Sequence, residues 1–143
     1  MKLGWMLPVK PDIQWEVAAQ LGIRYAVTKA APELSGLSDP SDYESLKEIS
    51  DRFRERGFRL YALEGDEFDM SRIKLGLPGR DEDIERYQQM LRNMGRLGIE
   101  LLCYNFMAGI GWFRTRSDLP ERGGALTSGF NLEEIDNNVP LKV

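Results

Sequence analysis

Histidine is absent from this 143-residue sequence. Imidazole is the commonest transition-metal ligand in proteins and the commonest side chain in general acid–base catalysis. A complete catalytic unit built around a transition metal would be expected to contain several histidines. We therefore expect the chain to supply only part of a catalytic unit.

Cysteine, long apolar runs and excess charge are also scarce. The single cysteine excludes an internal disulfide and favours a reducing compartment. The stretch from Met1 to Pro8 is too short for a signal peptide, and no apolar run approaches the ~20 residues of a membrane helix. The chain has 19 basic and 23 acidic side chains, and its net charge of −4 argues against nucleic-acid or membrane partners. We therefore predict a cytoplasmic protein.

The most informative stretch is the central segment, residues 69–115. Within it, residues 81–97 are predicted to form an amphipathic helix, because apolar side chains recur at three- and four-residue steps: Ile84, Tyr87, Leu91, Met94 and Leu97. Acidic residues begin this helix, where they favour the positive end of its dipole, and Gly98 is placed to end it. The following apolar run, residues 99–106, is predicted to be a strand that is buried on both faces.

Three further strands and two further helices are predicted around this segment. The strands are residues 2–7, 23–28 and 58–63, and the helices are residues 12–21 and 42–56. Asp12 is a candidate N-cap of the first helix, and Ser41 has capping-box spacing to the start of the second. The apolar stripe Ile13, Val17 and Leu21 is expected to face the core. Trp15 lies off that stripe and is a candidate interface residue.

A weak internal repeat supports an alternating arrangement of strands and helices. Gly22, Gly57 and Gly98 each follow a predicted helix and precede a predicted strand, at spacings of 35 and 41 residues. Alternation of this kind predicts an α/β fold of parallel (β/α) units, with four strands and three main helices. A closed eight-stranded barrel takes about 250 residues, so the chain can form about half of a TIM barrel. We predict a half-barrel over residues 1–115 and a lid-like loop or tail over residues 116–143, with a short helical turn near residues 131–135.

Ligands of such folds bind where the parallel strands end. The residues expected at those ends are Trp5, Thr28, Lys29, Glu64 and Asn105, and the loops add Lys74, Arg80, Trp112 and Arg114. Several of these have simpler explanations as well. Arg80 is expected to form a surface ion pair with Asp81 or Asp83, Lys74 to be solvated, and Glu64 to be a loop carboxylate. Cys103 is expected to be a small buried apolar side chain.

Several short strings in residues 72–115 resemble the N-terminal half of D-mannonate dehydratases. The strings are Lys74-Leu75-Gly76-Leu77-Pro78, Arg80-Asp81, Cys103-Tyr104-Asn105-Phe106-Met107, Trp112 and Arg114-Thr115. The resemblance implies a xylose-isomerase-like barrel that uses a divalent metal, manganese or iron, to dehydrate D-mannonate to 2-keto-3-deoxygluconate. It further implies that substrate is bound by Lys74, Arg80, Asn105, Trp112 and Arg114.

The resemblance assigns no catalytic residue and no metal ligand, because the family's ligands come from the later half of its barrel. The chain also departs from the family pattern in two places. The family has a Glu-Ser-x-Pro-x-His string where this chain has Glu64 to Ser71 without the histidine. Gly111 precedes Trp112 where the family has an acidic residue.

Three functional hypotheses follow. The chain is the N-terminal part of a mannonate-dehydratase-like hydro-lyase, inactive by itself, with D-mannonate as its partner. Alternatively, it belongs to a sugar isomerase or epimerase of the same barrel superfamily, because a shared architecture does not fix the reaction. In the third hypothesis it is a non-catalytic half-barrel that assembles as a homo-oligomer through its open strand edges.

Overall fold

The computed structural model describes residues 1–109, 111 and 113–135, and these form two compact units, one that ends at Phe106 and one that begins at Met107. The first unit contains a four-stranded sheet of β1 Gly4–Met6, β2 Tyr25–Thr28, β3 Arg59–Glu64 and β4 Leu101–Cys103. The strands lie in the order β1-β2-β3-β4, and every neighbouring pair is parallel. The predicted α/β architecture of parallel units is therefore confirmed.

Helices connect the strands of this sheet. The three main helices are α1 Ile13–Gln20, α3 Tyr43–Glu55 and α5 Arg80–Leu97, close to their predicted bounds. Two short helices, α2 Pro32–Ser35 and α4 Ser71–Leu75, were not predicted and lie between the predicted elements. Asp12 is the N-cap of α1, as predicted, but the N-cap of α3 is Asp42, whose side chain accepts from the Glu44 backbone N–H. Ser41 is therefore not the capping residue. No helix in the described part of the chain is long and apolar enough to cross a membrane.

The core lies between the helices and the sheet. Trp15 of α1 is only 3% exposed, stacks on Phe53 of α3 and packs edge-on against Phe58. Its indole N–H donates to the Pro8 carbonyl at 2.9 Å. Other buried members of this cluster include Leu7, Ala26, Leu46, Ile49, Leu60, Leu63, Met90, Met94 and Ile99.

Two predicted helix faces were wrong in whole or in part. On α1, Ile13 and Leu21 are 66% and 65% exposed, so the Trp15 side of the helix faces the core and the predicted stripe faces outward. On α5, Leu91 is exposed and Asn93 is buried, which rotates the buried face towards residues 90, 93 and 94. The side of a helix that is buried is the side that faces the sheet and the neighbouring helices. Helical periodicity alone does not reveal which side that is.

The fourth strand differs from its prediction. It has three residues where eight were predicted, and Leu101 and Cys103 are exposed. The expectation that Cys103 is buried was therefore wrong. Because β4 is the outer strand of the sheet and pairs only with β3 among the described residues, its side chains lack the neighbours that would bury an inner strand.

The second unit contains an antiparallel hairpin of β5 Arg116–Pro120 and β6 Leu126–Gly129. Phe113 and Phe130 meet edge-on, with ring centroids 5.9 Å apart. A short 3-10 turn at Leu132–Glu134 lies where a helical turn was predicted. The hairpin was not predicted, and the lid-like role of residues 116–143 stays a prediction.

Candidate functional site

The C-terminal ends of β1 to β4 meet along one edge of the parallel sheet, which we call the strand-end edge. Lys29 follows β2 and Glu64 ends β3, and their charged groups lie 3.7 Å apart. Thr28 is buried, and its hydroxyl donates to the Leu7 carbonyl at 2.8 Å, which is a structural contact between strands. Trp5 lies within β1 and packs against the core, so it does not follow the strand as expected.

A cavity of about 160 Å³ lies where β3 and β4 end, and we call it the β3–β4 pocket. Its lining combines apolar and aromatic side chains with a few polar groups: Gly65, Asp66, Met70, Ile73, Lys74, Ile84, Tyr87, Tyr104, Asn105 and Phe106. Burial raises the pKa of Tyr87, and the nearby Tyr104 and Asp66 act in the same direction. The pocket therefore presents a mostly apolar wall with convergent polar groups, which is the usual composition of a small-molecule site.

Lys74 and Asn105, both predicted from the sequence, line this pocket together. The side chain of Lys74 is only 9% exposed and forms an ion pair with Asp66. The expectation that Lys74 is solvated was wrong, because the stretch that contains it folds into α4. The Oδ1 of Asn105 is buried, and no described residue donates a hydrogen bond to it. Leaving a buried acceptor unpaired costs about 1–3 kcal/mol, so a ligand hydroxyl would find an available partner there.

Among the other predicted substrate-binding residues, Arg80 does not line this pocket. Arg80 begins α5, is exposed, and pairs with Asp81 at 3.4 Å between Nε and Oδ1. Arg114 belongs to the second unit, where its Nε donates to the Ser128 hydroxyl at 3.2 Å. Trp112 lies outside the described residues. Substrate binding by Arg80, Trp112 and Arg114 stays a prediction.

A larger cavity of about 440 Å³ lies where β1 and β2 end, and we call it the β1–β2 pocket. Two cationic side chains, Lys10 and Lys29, line it together with Gln14, Thr28 and the apolar side chains of Met6, Leu7, Pro8, Val9 and Leu34. Lysine ammonium groups suit anionic ligands as point charges. The strand-end edge therefore offers a cationic region at one side and an amide and lysine at the other.

Glu67 is a buried carboxyl group that the sequence analysis missed. It lies three residues after β3, is 2% exposed, and accepts a hydrogen bond from the Ala30 backbone N–H at 2.5 Å. Burial is the main reason that its pKa rises to about 8, while Lys29 and the Ala30 N–H act in the opposite direction. The only signal in the sequence is weak: Glu67 precedes an aromatic residue, Phe68, within an acidic stretch.

The described residues do not fit a divalent metal site. No three Cys, Asp or Glu side chains among them come close enough to hold a metal ion together, and the sequence has no histidine. Divalent cations need several convergent oxygen or nitrogen ligands. We therefore assign no metal ligand and no metal-dependent step to this chain.

Comparison with protein families gives a match over most of the chain. The model of the family described as D-mannonate dehydratase (UxuA) matches residues 16–143. The mannonate dehydratase of Brachyspira hyodysenteriae is 35% identical over 111 residues, which cover 76% of this chain and 30% of that protein. That of Geobacillus thermodenitrificans is 40% identical over 99 residues, which cover 68% of this chain and 26% of that protein.

A solved structure extends this similarity to the fold. The crystal structure of mannonate dehydratase from Streptococcus suis serotype 2 superposes with a TM-score of 0.75 at 27% sequence identity. The match covers 98% of this chain and 39% of that chain. The chain thus spans less than a third of each of the two relatives above and about two fifths of the solved one.

Proposed function

The chain belongs to the D-mannonate dehydratase family, and on that premise we propose that it is the N-terminal part of a hydro-lyase that converts D-mannonate to 2-keto-3-deoxygluconate. The observation that carries the proposal is the β3–β4 pocket. It holds Lys74 and Asn105, two members of the strings by which the sequence resembles the family, at the edge where ligands of parallel α/β folds bind.

The chemistry of this pocket suits part of a sugar acid. The unpaired Oδ1 of Asn105 can accept a hydrogen bond from a sugar hydroxyl, and the ammonium group of Lys74 can pair with a carboxylate that competes with Asp66. Tyr87 and Tyr104 supply flat surfaces for the C–H groups of the sugar chain. At about 160 Å³ the pocket is smaller than the ~300–1,000 Å³ of a complete small-molecule site, so it would enclose only part of D-mannonate.

We also propose that the 143-residue chain does not catalyse the dehydration by itself. Removing the proton next to a carboxylate requires stabilisation of the charge that develops in the transition state. The described residues supply binding groups at the strand-end edge but neither a convergent ligand set nor a histidine base. Manganese or iron, D-mannonate and a cytoplasmic location remain proposals that come from the family resemblance and from the composition.

Titration of the isotope-labelled chain with D-mannonate tests the binding proposal. D-mannonate is expected to shift the side-chain amide resonances of Asn105, and Asn105→Ala and Lys74→Met should each weaken the apparent affinity at least about tenfold, since a lost polar contact of about 1.4 kcal/mol has that effect. Lys47→Met is the matched control, because Lys47 forms a similar lysine–aspartate pair with Asp51 on α3, outside the lining of the pocket. Equal effects of Lys74→Met and Lys47→Met would contradict the proposal.

A turnover assay tests the proposed inactivity. The purified chain is incubated with D-mannonate and manganese, and formation of 2-keto-3-deoxygluconate is followed alongside a protein-free sample. The two rates are expected to be equal. Metal-dependent product formation by the chain would contradict this part of the proposal. Binding of ketoses in preference to D-mannonate would instead favour the isomerase alternative.

The outer strands of the sheet favour association as a second candidate function. Among the described residues β1 and β4 each pair along one side only, and Leu101 on β4 is 45% exposed. Unpaired strand edges are surfaces that proteins usually cover. Size-exclusion chromatography with light scattering distinguishes the outcomes: a discrete dimer would support a homo-oligomer, and a monomer at all concentrations would count against it.

A further inference from the structure

Glu67 links two chain segments that lie side by side at the strand-end edge. Its Oε2 accepts from the Ala30 backbone N–H, and Ala30 is fully buried two residues after the end of β2. Glu67 itself lies three residues after the end of β3. The contact joins residues that are 37 positions apart in the sequence. One carboxyl group therefore fixes the segment after β2 against the segment after β3.

The second oxygen of this carboxyl group is poorly accommodated as an anion. Oε1 is buried, and no described residue forms a hydrogen bond with it. An ionised carboxylate in such a place would have backbone N–H donors from Ala30 and Ala31, and these offset only part of the cost of burying the charge in an environment of low dielectric constant. Burial accordingly raises the pKa of Glu67 to about 8, so the neutral acid predominates at pH 7.

The charged groups that face Glu67 connect it to the strand-end edge. Lys29, from the segment after β2, attracts a negative charge on Glu67, and Glu64, at the end of β3, repels it. Lys29 is also the ion-pair partner of Glu64, at 3.7 Å. If Glu67 ionised, two carboxylates would compete for the single ammonium group of Lys29. Ionisation of the buried carboxyl group would therefore alter the exposed ion pair of Lys29 and Glu64. It would also alter the β1–β2 pocket, because Lys29 lines that pocket.

We propose that Glu67 is a positioning residue: its carboxyl group holds the segments after β2 and β3 together through the Ala30 N–H, and its ionisation draws Lys29 away from Glu64. The proposal concerns the arrangement of the strand-end edge and holds whichever ligand the site takes. It can therefore fail or succeed independently of the assignment of D-mannonate as substrate.

Nuclear magnetic resonance of the ligand-free chain tests the proposal directly. The carboxyl carbon of Glu67 and the backbone amide of Ala30 are followed from about pH 6 to about pH 10, a range that brackets the raised pKa of Glu67. Both resonances are expected to shift with one common midpoint near 8. The carboxyl carbon of Glu64 should shift with the same midpoint, because its partner Lys29 is drawn towards Glu67. A carboxyl group that keeps one protonation state across this range would show no such midpoint, and one that ionises without affecting Lys29 would leave the Glu64 resonance unchanged.

Two substitutions and one control make the test specific. Glu67→Gln keeps an oxygen acceptor for Ala30 and cannot ionise. The Ala30 amide resonance should therefore stay at its low-pH chemical shift throughout, and the common midpoint should vanish. In Glu67→Ala the Ala30 amide resonance should differ from that low-pH chemical shift at every pH. Glu33→Gln, which removes an exposed carboxylate from α2 close to the same segment, should leave the wild-type titration unchanged.

The proposal is overturned if the Ala30 amide shows no midpoint across this range, or if the midpoint survives in Glu67→Gln. A midpoint at Glu67 and Ala30 without any response of Glu64 would overturn its second half, the coupling to Lys29. If Glu67→Ala does not fold, the comparison between the wild-type chain and Glu67→Gln still decides the result.

Discussion

Substitution of Trp15 should be among the most destabilising changes in the first unit. Its side chain is 3% exposed, stacks on Phe53 at a centroid distance of 4.3 Å, and hydrogen-bonds to the Pro8 carbonyl. Trp→Ala changes in cores cost about 3–5 kcal/mol through lost burial and the cavity left behind. The aromatic contacts with Phe53 and Phe58 contribute within this range, at about 0.5–1.5 kcal/mol per pair.

A second variant separates the ring contacts from the hydrogen bond. Trp15→Phe keeps an aromatic ring against Phe53 but loses the indole N–H that pairs with the Pro8 carbonyl. We expect it to cost about 1–3 kcal/mol, mainly from the unpaired carbonyl and the smaller ring. Ile13→Ala is the matched control on the same helix, because Ile13 is 66% exposed and its truncation should change stability by about 0.5 kcal/mol or less.

Urea unfolding followed by far-ultraviolet circular dichroism measures all three variants without relying on tryptophan fluorescence. The free energy of unfolding is expected to be highest for Ile13→Ala, lower for Trp15→Phe and lowest for Trp15→Ala. Since native domains are stable by only about 5–15 kcal/mol, Trp15→Ala could leave the chain largely unfolded, and Trp15→Phe then supplies the measurable value. A larger loss for Ile13→Ala than for Trp15→Phe would refute the assignment of the buried face of α1.

The remaining predictions concern pH dependence, a turn and a buried amide. The pKa of Glu67 is raised in the folded chain, so between about pH 4.5 and 8 the folded state holds a proton that the unfolded state has released. The free energy of unfolding should therefore decrease as the pH rises through this range, by at most about 1.4 kcal/mol per pH unit. Urea midpoints across pH measure this slope, and a slope that persists in Glu67→Gln would contradict the assignment. Gly79→Ala should cost about 1–2 kcal/mol, since Gly79 has a φ of +87° and a Cβ there would collide with the Arg72 guanidinium. Gly95→Ala, in the exposed interior of α5, should instead stabilise by about 0.5–1 kcal/mol, and thermal unfolding that ranks the two glycines in the opposite order would contradict both. Asn93→Ala should cost about 1–3 kcal/mol in urea unfolding, because its buried amide donates to two backbone carbonyls just before α3, and a neutral result would count against those contacts.

The features that were predictable from the sequence are those with local causes. Gly22, Gly57 and Gly98 all adopt positive φ angles where α1, α3 and α5 end, as their repeated position before a strand implied. The same glycine positions indicated the order of strands and helices, and the alternation of the two predicted the parallel sheet. These signals lie within a few residues of the features they determine, so the sequence alone contains them.

The buried faces and the fourth strand depended on contacts across the fold. Trp15 and Ala18 face the core because α1 lies with that side against α3 and the sheet, although Ile13 and Leu21 are the more apolar pattern. Cys103 is exposed because β4 is an outer strand in the described sheet. Neither fact can be deduced from periodicity, since both depend on which neighbours are present.

The acidic stretch that begins with Glu64 at the end of β3 shows the same limit of local inference at the candidate site. Its four carboxylates look alike in the sequence, yet each has a different environment. Glu64 pairs with the lysine after β2, Asp66 pairs with the lysine of α4, and Asp69 accepts from the backbone N–H that begins α4. Glu67 alone is enclosed, because the stretch folds back over the segment after β2 and carries Phe68 into a buried position beside it. Removing one of the three more exposed carboxylates should therefore alter a local contact, whereas only Glu67 should control how the edge responds to pH.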